Sequence, residues 1–324
     1  MIFPKNFTAD WIRIKANRSC RASAFLHYQG KPTIPTPSLF AAIPPVDAKE
    51  SFNENLVRPS SFPNKNLQVL RVSGQKHYAE VNEQMQFLDN VADSTANMEK
   101  RLSFEKHYRQ DDASVIVEDS TGTFRLPFTS PQYNSFSYRD KREVESERFM
   151  LNIHGTLYEV GRESGFAAIR PITTHKKRII DFCTWRGLLV ISGTRKDAQR
   201  DGHYFPSADG SNGLWFGAID DLWKMGKPTG EGGLWKNTAV KAGETSLPFL
   251  MTGYDRKTVV LSSDKEVNIA LDIDFDLTGF HHFKTIHVPA GQTITWQFPA
   301  GFNAHWIRAS SDKECRATVW FRYN

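Results

Sequence analysis

The sequence predicts an all-β protein. It reads as a β-propeller-like region followed by a β-sandwich, with a partial copy of the sandwich's terminal hairpin at the N-terminus. Three observations predict it. Short runs rich in β-branched and aromatic residues, bounded by Gly, Asn, Asp or Pro, recur through most of the chain: "SVIVED", "RFMLNIHGTLYEV", "GLLVISG", "GLWFGAI", "TVVLSS", "VNIALDIDFD", "TITWQF" and "RATVWFRY". Helix-period stretches are scarce, and the best of them, residues 37–52, is broken by Pro44-Pro45. Finally, Phe3–Tyr28 aligns without a gap on Phe298–Tyr323, with eleven of twenty-six positions identical.

Taken in order, residues 1–30 read as that partial copy of the hairpin. In the C-terminal copy the hairpin is strand "AHWIRAS", turn "SDKE" and strand "CRATVWFRY". A hairpin alone is only marginally stable and needs further strands to pack on. A start in mid-fold therefore suggests the downstream part of a longer protein, ahead of two other readings, a hairpin that completes a sheet elsewhere in the same chain or one lent to a second molecule. Residues 31–64 carry five prolines between Pro32 and Pro45 and read as a stiff connector. Residues 65–235 read as the propeller-like region, with a second β-sandwich as the structural alternative. The region's three strand–turn–strand units place turn glycines at Gly122, Gly155 and Gly187, spaced by 33 and 32 residues. A Gly- and Lys-rich stretch at 226–244 reads as a second seam, and residues 236–324 as the β-sandwich.

Composition narrows the function. The chain of 324 residues is 24% charged and 40% apolar, a globular balance. Its net charge of +5 is interleaved with acids, as in "RDKREVESER", which argues against a nucleic-acid surface. No apolar run approaches a membrane span. "MIFPKNFTAD" has no basic segment followed by a hydrophobic stretch, which leaves the location open. The cysteines, Cys20, Cys183 and Cys315, sit in apolar strand-like contexts and read as buried thiols.

The segments "HGTLYEVGRESGFAAIRPITTHKKRIIDFCTWRGLLVISGT", "LWFGAIDDLWKMGKP" and "AHWIRASSDKECRATVWFRY" resemble parts of large, mostly uncharacterised β-rich bacterial proteins. These occur in organisms with heavy polysaccharide-degrading repertoires. The resemblance covers residues ~1–28 and ~65–324 and implies a propeller-like region before a sandwich. It points to glycans, carries no assigned catalytic residue, and marks this chain as short for the group.

The densest polar constellation lies between residues 154 and 223. Glu159 with Asp220 or Asp221 supplies the carboxylate pair that glycoside hydrolysis needs. His154, His175 and Tyr158 offer the base that elimination next to a uronate carboxyl needs. Arg170 suits a carboxylate or sulfate through its planar fork. Trp223 can stack beneath a sugar ring, and His203 stands among the binding candidates. These residues are expected to gather in one polar depression. The resulting expectation is a protein that binds or processes a complex, in one version acidic, polysaccharide, acting as a glycoside hydrolase or polysaccharide lyase if it is an enzyme. A non-catalytic structural or protein-interaction module is the alternative. No metal site is expected. "LDIDFDLTG" puts Asp272, Asp274 and Asp276 on one strand face, but Leu277 and Phe283 stand where a calcium loop needs Gly and Glu. Calcium is therefore a minor candidate, and no other cofactor is expected.

Overall fold

The computed structural model describes residues 39–49, 51–59, 66–88, 106–129, 140–145 and 148–324. The expected N-terminal hairpin, with Cys20, lies outside them.

Nearly all the regular elements among the described residues are strands. Its first sheet is an antiparallel meander of β1 (Asn55–Pro59), β2 (Leu67–Arg71), β3 (His77–Val81) and β4 (Phe87–Leu88). Next come β5 (Tyr108–Gln110), β6 (Val115–Asp119) and β7 (Gly122–Leu126). A second four-stranded meander follows: β8 (Lys141–Glu145), β9 (Arg148–Ile153), β10 (Thr156–Gly161) and β11 (Gly165–Thr174). A third four-stranded sheet holds β12 (Phe182–Trp185), β13 (Leu188–Ile191), β14 (Tyr204–Pro206) and β15 (Gly213–Gly217), ordered β12-β13-β15-β14, with β14 crossing over to the far side of β15. A 3-10 helix, Ile219–Met225, then leads to β16 (Gly230–Val240), β17 (Phe249–Leu250), β18 (Lys257–Ser263), β19 (Val267–Asp274), β20 (His281–Val288), β21 (Thr293–Gln297), β22 (Trp306–Ser311) and β23 (Cys315–Tyr323).

The three four-stranded sheets make the propeller-like region. Their edge strands converge, β12 lying against both β1 and β8. The carboxylate of Asp181, immediately before β12, marks the convergence. Its Oδ2 accepts the Val57 N–H of β1 at 2.9 Å, and its Oδ1 lies 3.5 Å from Arg142 Nε of β8. Asp181 is fully buried, so this charge sits where three sheets meet.

The sandwich has a four-stranded sheet, β16-β23-β18-β21, and a seven-stranded one, β20-β19-β22-β17-β7-β6-β5. Alternation along β18 and β23 turns every second side chain into the space between them. There Phe249 of one sheet stacks on Phe321 of the other with centroids 5.1 Å apart.

Several expectations are corrected by this topology. The unit around Gly122 belongs to the sandwich: β7 pairs in parallel with β17 through Arg125 and Phe249. The terminal "hairpin" is an arch, because β22 pairs with β19 and β17 while β23 pairs with β16 and β18. The turn after Ser311 thus carries the chain from one sheet to the other. The described part of the proline-rich connector is core rather than spacer. Phe40 and Ile43 are buried. Lys177 Nζ donates to the carbonyls of Phe40 and Ile43, and Arg178 to those of Val46 and Ala48. β1 itself falls inside residues 31–64.

The Gly- and Lys-rich stretch read as a seam contains β16, which runs from Gly230 through residue 235 to Val240. Its glycines serve close approach. A Cβ on Gly233 would stand 2.1 Å from the Val319 carbonyl of β23, closer than any real contact. Gly233→Ala is therefore expected to lower the unfolding free energy by about 1–3 kcal/mol, as overpacking does. Urea denaturation of wild type and variant checks this, and an unchanged midpoint would refute it.

Candidate functional site

A groove runs along the outer side of the second meander, between the 3-10 helix and a loop of the sandwich. Strand alternation builds its wall. In β10, Tyr158 turns into the core while Glu159 turns out, half-buried. Glu159 stands opposite Met150 of β9 and Arg170 of β11 in the ladder. Arg148 Nε lies 3.7 Å from the Glu159 carboxylate. Ile172 and Pro171 of β11 form the floor.

The 3-10 helix supplies the rim. Asp221 accepts the Ala218 N–H at 3.1 Å and the Lys224 ammonium at 2.6 Å, closing its first turn. This leaves Asp220 exposed over the groove, and Trp223 projects beside it with 59% of its surface exposed, more than any other large apolar residue described. The far end is closed by Gly253, packed on Pro171, and by an ion pair between Lys227 and Asp255. The cleft measures about 370 Å³. Arg170 is exposed along it, and no hydrogen bond or ion pair engages its guanidinium among the described residues.

Of the sequence-predicted residues, Glu159 and Trp223 therefore border two adjoining depressions of the groove, a small one that reaches Asp220 and the larger cleft that reaches Arg170. Asp221 sits next to the groove but is committed to the helix turn. The others lie elsewhere, for clear physical reasons. His154 occupies the two-residue turn between β9 and β10, with φ of 51° beside Gly155 at 81°, the left-handed pair such a turn needs. It lies five residues from Glu159, about 16 Å along a strand. Its Nε2–H donates to Gln110 Oε1 at 2.9 Å, and its ring packs on Phe128. Burial, with Lys106 nearby, pushes its pKa down to about 4.

His175 is buried at the same end of the sheet. Its Nε2–H donates to Asn152 Oδ1 at 2.9 Å, and its Nδ1 accepts the Lys177 N–H at 3.0 Å. Burial holds it neutral, with a pKa near 3. Tyr158 lies in the hydrophobic core, where burial raises its hydroxyl pKa far above the usual value. His203 stacks on Trp215 with rings 5.4 Å apart and bonds the Phe216 carbonyl through Nδ1 at 2.8 Å. Among the described residues, no histidine or tyrosine lines the groove. Sequence reasoning missed Arg148, which meets Glu159 across the β9–β10 hairpin, and the pair Lys227 and Asp255, which lie twenty-eight positions apart and meet only in the fold.

The three aspartates of β19 and its following turn are also occupied. Asp272 faces Arg308 at 3.3 Å, Asp274 accepts the Asp276 and Leu277 amides, and Asp276 bonds Thr278. Among the described residues no group of three or more His, Cys, Asp or Glu is placed to hold a metal ion. No helix among them is long and apolar enough to cross a membrane.

No family model and no curated protein matches the chain. Among solved structures, it is similar to a glycoside hydrolase family 43 arabinoxylan arabinofuranohydrolase from Bacillus subtilis, crystallised with cellotetraose. That match covers 83% of this chain and 78% of the other, at 9% identity and a TM-score of 0.20. A second structure, described as a glycoside hydrolase, matches over 86% of this chain and 85% of its own at 10% identity and a TM-score of 0.18. Likenesses at these scores carry no argument, and the function rests on the groove's own chemistry.

Proposed function

We propose that the groove beside Trp223 binds a complex glycan, and that Arg170 favours one bearing carboxylate or sulfate groups. The observation that carries this reading is the exposure of Trp223 on the rim of a cleft that sets an apolar floor of Pro171 and Ile172 beside the charged side chains of Glu159 and Arg170. A solvent-facing indole gains by stacking on the apolar face of a sugar ring, while the flanking Glu159 and Asp220 offer acceptors to its hydroxyls. The unengaged fork of Arg170 matches a planar carboxylate. Binding is favoured over turnover, because the candidate bases are buried in structural hydrogen bonds and Arg148 engages Glu159. Hydrolysis by Glu159 and Asp220 remains the second reading, supported by their presence in the same groove.

The test is titration of wild type, Trp223→Ala and Arg170→Ala with a panel of neutral and acidic polysaccharides. Losing the indole is expected to weaken binding about 10–100-fold, by analogy with other stacking platforms, without moving the thermal midpoint. Losing Arg170 is expected to weaken only the acidic ligands. If Trp223→Ala binds every glycan as wild type does, the groove is not the site and the interaction-module reading takes over. Reducing-sugar release that disappears in Glu159→Gln would favour hydrolysis instead.

A further inference from the structure

Residues 51–53, just before β1, run antiparallel to residues 194–196, just after β13 of the third sheet, through an isolated bridge between Phe52 and Arg195. The Asn53 N–H donates to the Thr194 carbonyl at 2.6 Å, Ser192 Oγ donates to the Asn55 carbonyl at 2.5 Å, and Asn55 Nδ2 donates to Asn212 Oδ1 at 2.8 Å. Asn53, Asn55, Thr194 and Asn212 are all fully buried. Yet neither Nδ2 nor Oδ1 of Asn53 has a hydrogen-bond partner, and Oδ1 of Asn55 has none. Gly213 borders the same spot. A Cβ there would stand 2.5 Å from Tyr204 Oη and 2.8 Å from Asn53 Nδ2, so the glycine keeps open the place where these two polar groups approach. The Tyr204 hydroxyl donates to the Arg195 carbonyl at 3.2 Å, which leaves its lone pairs able to accept.

We infer that Asn53 and Asn55 hold buried water at this junction between residues 53–55 and the third sheet. The chemistry selects the ligand. The unbonded atoms are one amide donor and two amide oxygens, a mixed set that matches water, which both donates and accepts. A cation wants oxygens alone and would face the Asn53 N–H groups. An anion would face two carbonyl-type oxygens. Direct bonding between the asparagines would use only part of the set, whereas water with about three hydrogen bonds satisfies it. The water then acts as a mortar joining residues 53–55 to β14 and β15.

Two measurements test this. A high-resolution crystal structure is expected to show water within about 2.7–3.2 Å of the Asn53 carboxamide and Asn55 Oδ1. An Asn53 side chain bonded directly to protein there would overturn the inference. Urea unfolding of Asn53→Asp and Asn53→Leu supplies the second. Both are expected to raise the unfolding equilibrium constant at least about tenfold, since each leaves buried groups unmatched, and equally in sodium, potassium or choline chloride. Asn53→Asp more stable than wild type in sodium or potassium but not in choline would identify a cation site and overturn the water. If neither variant folds, the crystal structure of the wild type decides alone.

Discussion

Replacing Asp181 by Ala is expected to lower the unfolding free energy by about 3–5 kcal/mol, the usual consequence of breaking a buried ion pair from one side. The carboxylate is fully buried, and its partner Arg142 is only 11% exposed. Removing it takes the carboxylate away from both the Arg142 guanidinium and the Val57 N–H. Because Val57, Arg142 and Asp181 belong to three different sheets, the loss falls on the convergence of the sheets rather than on one of them. Asp181→Asn keeps an acceptor for Val57 and is expected to cost less. Asp181→Leu combined with Arg142→Met is expected to recover most of the loss, since a matched apolar pair removes both buried charges. Urea unfolding followed by tryptophan fluorescence measures all three. An alanine variant within about 1 kcal/mol of wild type would show that the junction does not depend on this charge.

What the sequence disclosed of the fold follows from which strands alternate. β18 and β23 each bury one face and wet the other, so their period of two is visible in the residues. β16, β11 and β20 were passed over, because close backbone approach at Gly233, Pro171 within a strand and a row of exposed histidines each blur that period. The arch after Ser311 shows a different limit. A short turn joins strands that pair and strands that separate into facing sheets equally well, and only the partners across the core decide. Proline between residues 32 and 45 likewise gave composition but not context. The lysine and arginine that clasp the carbonyls of Phe40–Ala48 lie more than a hundred residues away.

The groove was legible where strand parity governs it. Glu159 and Arg170 point outward from paired strands, and Trp223 sits on a short helix whose Asp220-Asp221 start fits a capped turn. The histidines misled because a polar residue at a tight turn looks the same whether it faces ligand or a distant side chain. For His154 the partner is Gln110, forty-four positions upstream, and for His175 it is Asn152.

Those two histidines set a pH dependence whose sign is determined. Each is buried and neutral, with a folded-state pKa of about 4 for His154 and about 3 for His175, against 6.5 when unfolded. Below pH 6.5 the unfolded chain therefore binds protons that the folded chain refuses, and stability falls as the solution is acidified. At about 1.4 kcal/mol per pH unit per group, the pair is expected to lose about 3–5 kcal/mol between pH 6.5 and 4.5. His305 adds in the same direction, since burial and the nearby Arg170 lower its pKa. Aspartates such as Asp111 and Asp119, whose pKa values are lowered, stay ionised through this window and contribute only at more acid pH. The bonds give the mechanism at His175: Nδ1 accepts the Lys177 N–H, so a second proton cannot bind without breaking that contact and displacing Lys177, whose ammonium clasps Phe40 and Ile43. His175→Gln is expected to start less stable at neutral pH and to show a shallower slope down to pH 4.5. Urea midpoints measured at half-unit steps decide the matter, and a wild-type curve flat across that window would mean that these imidazoles are hydrated in solution.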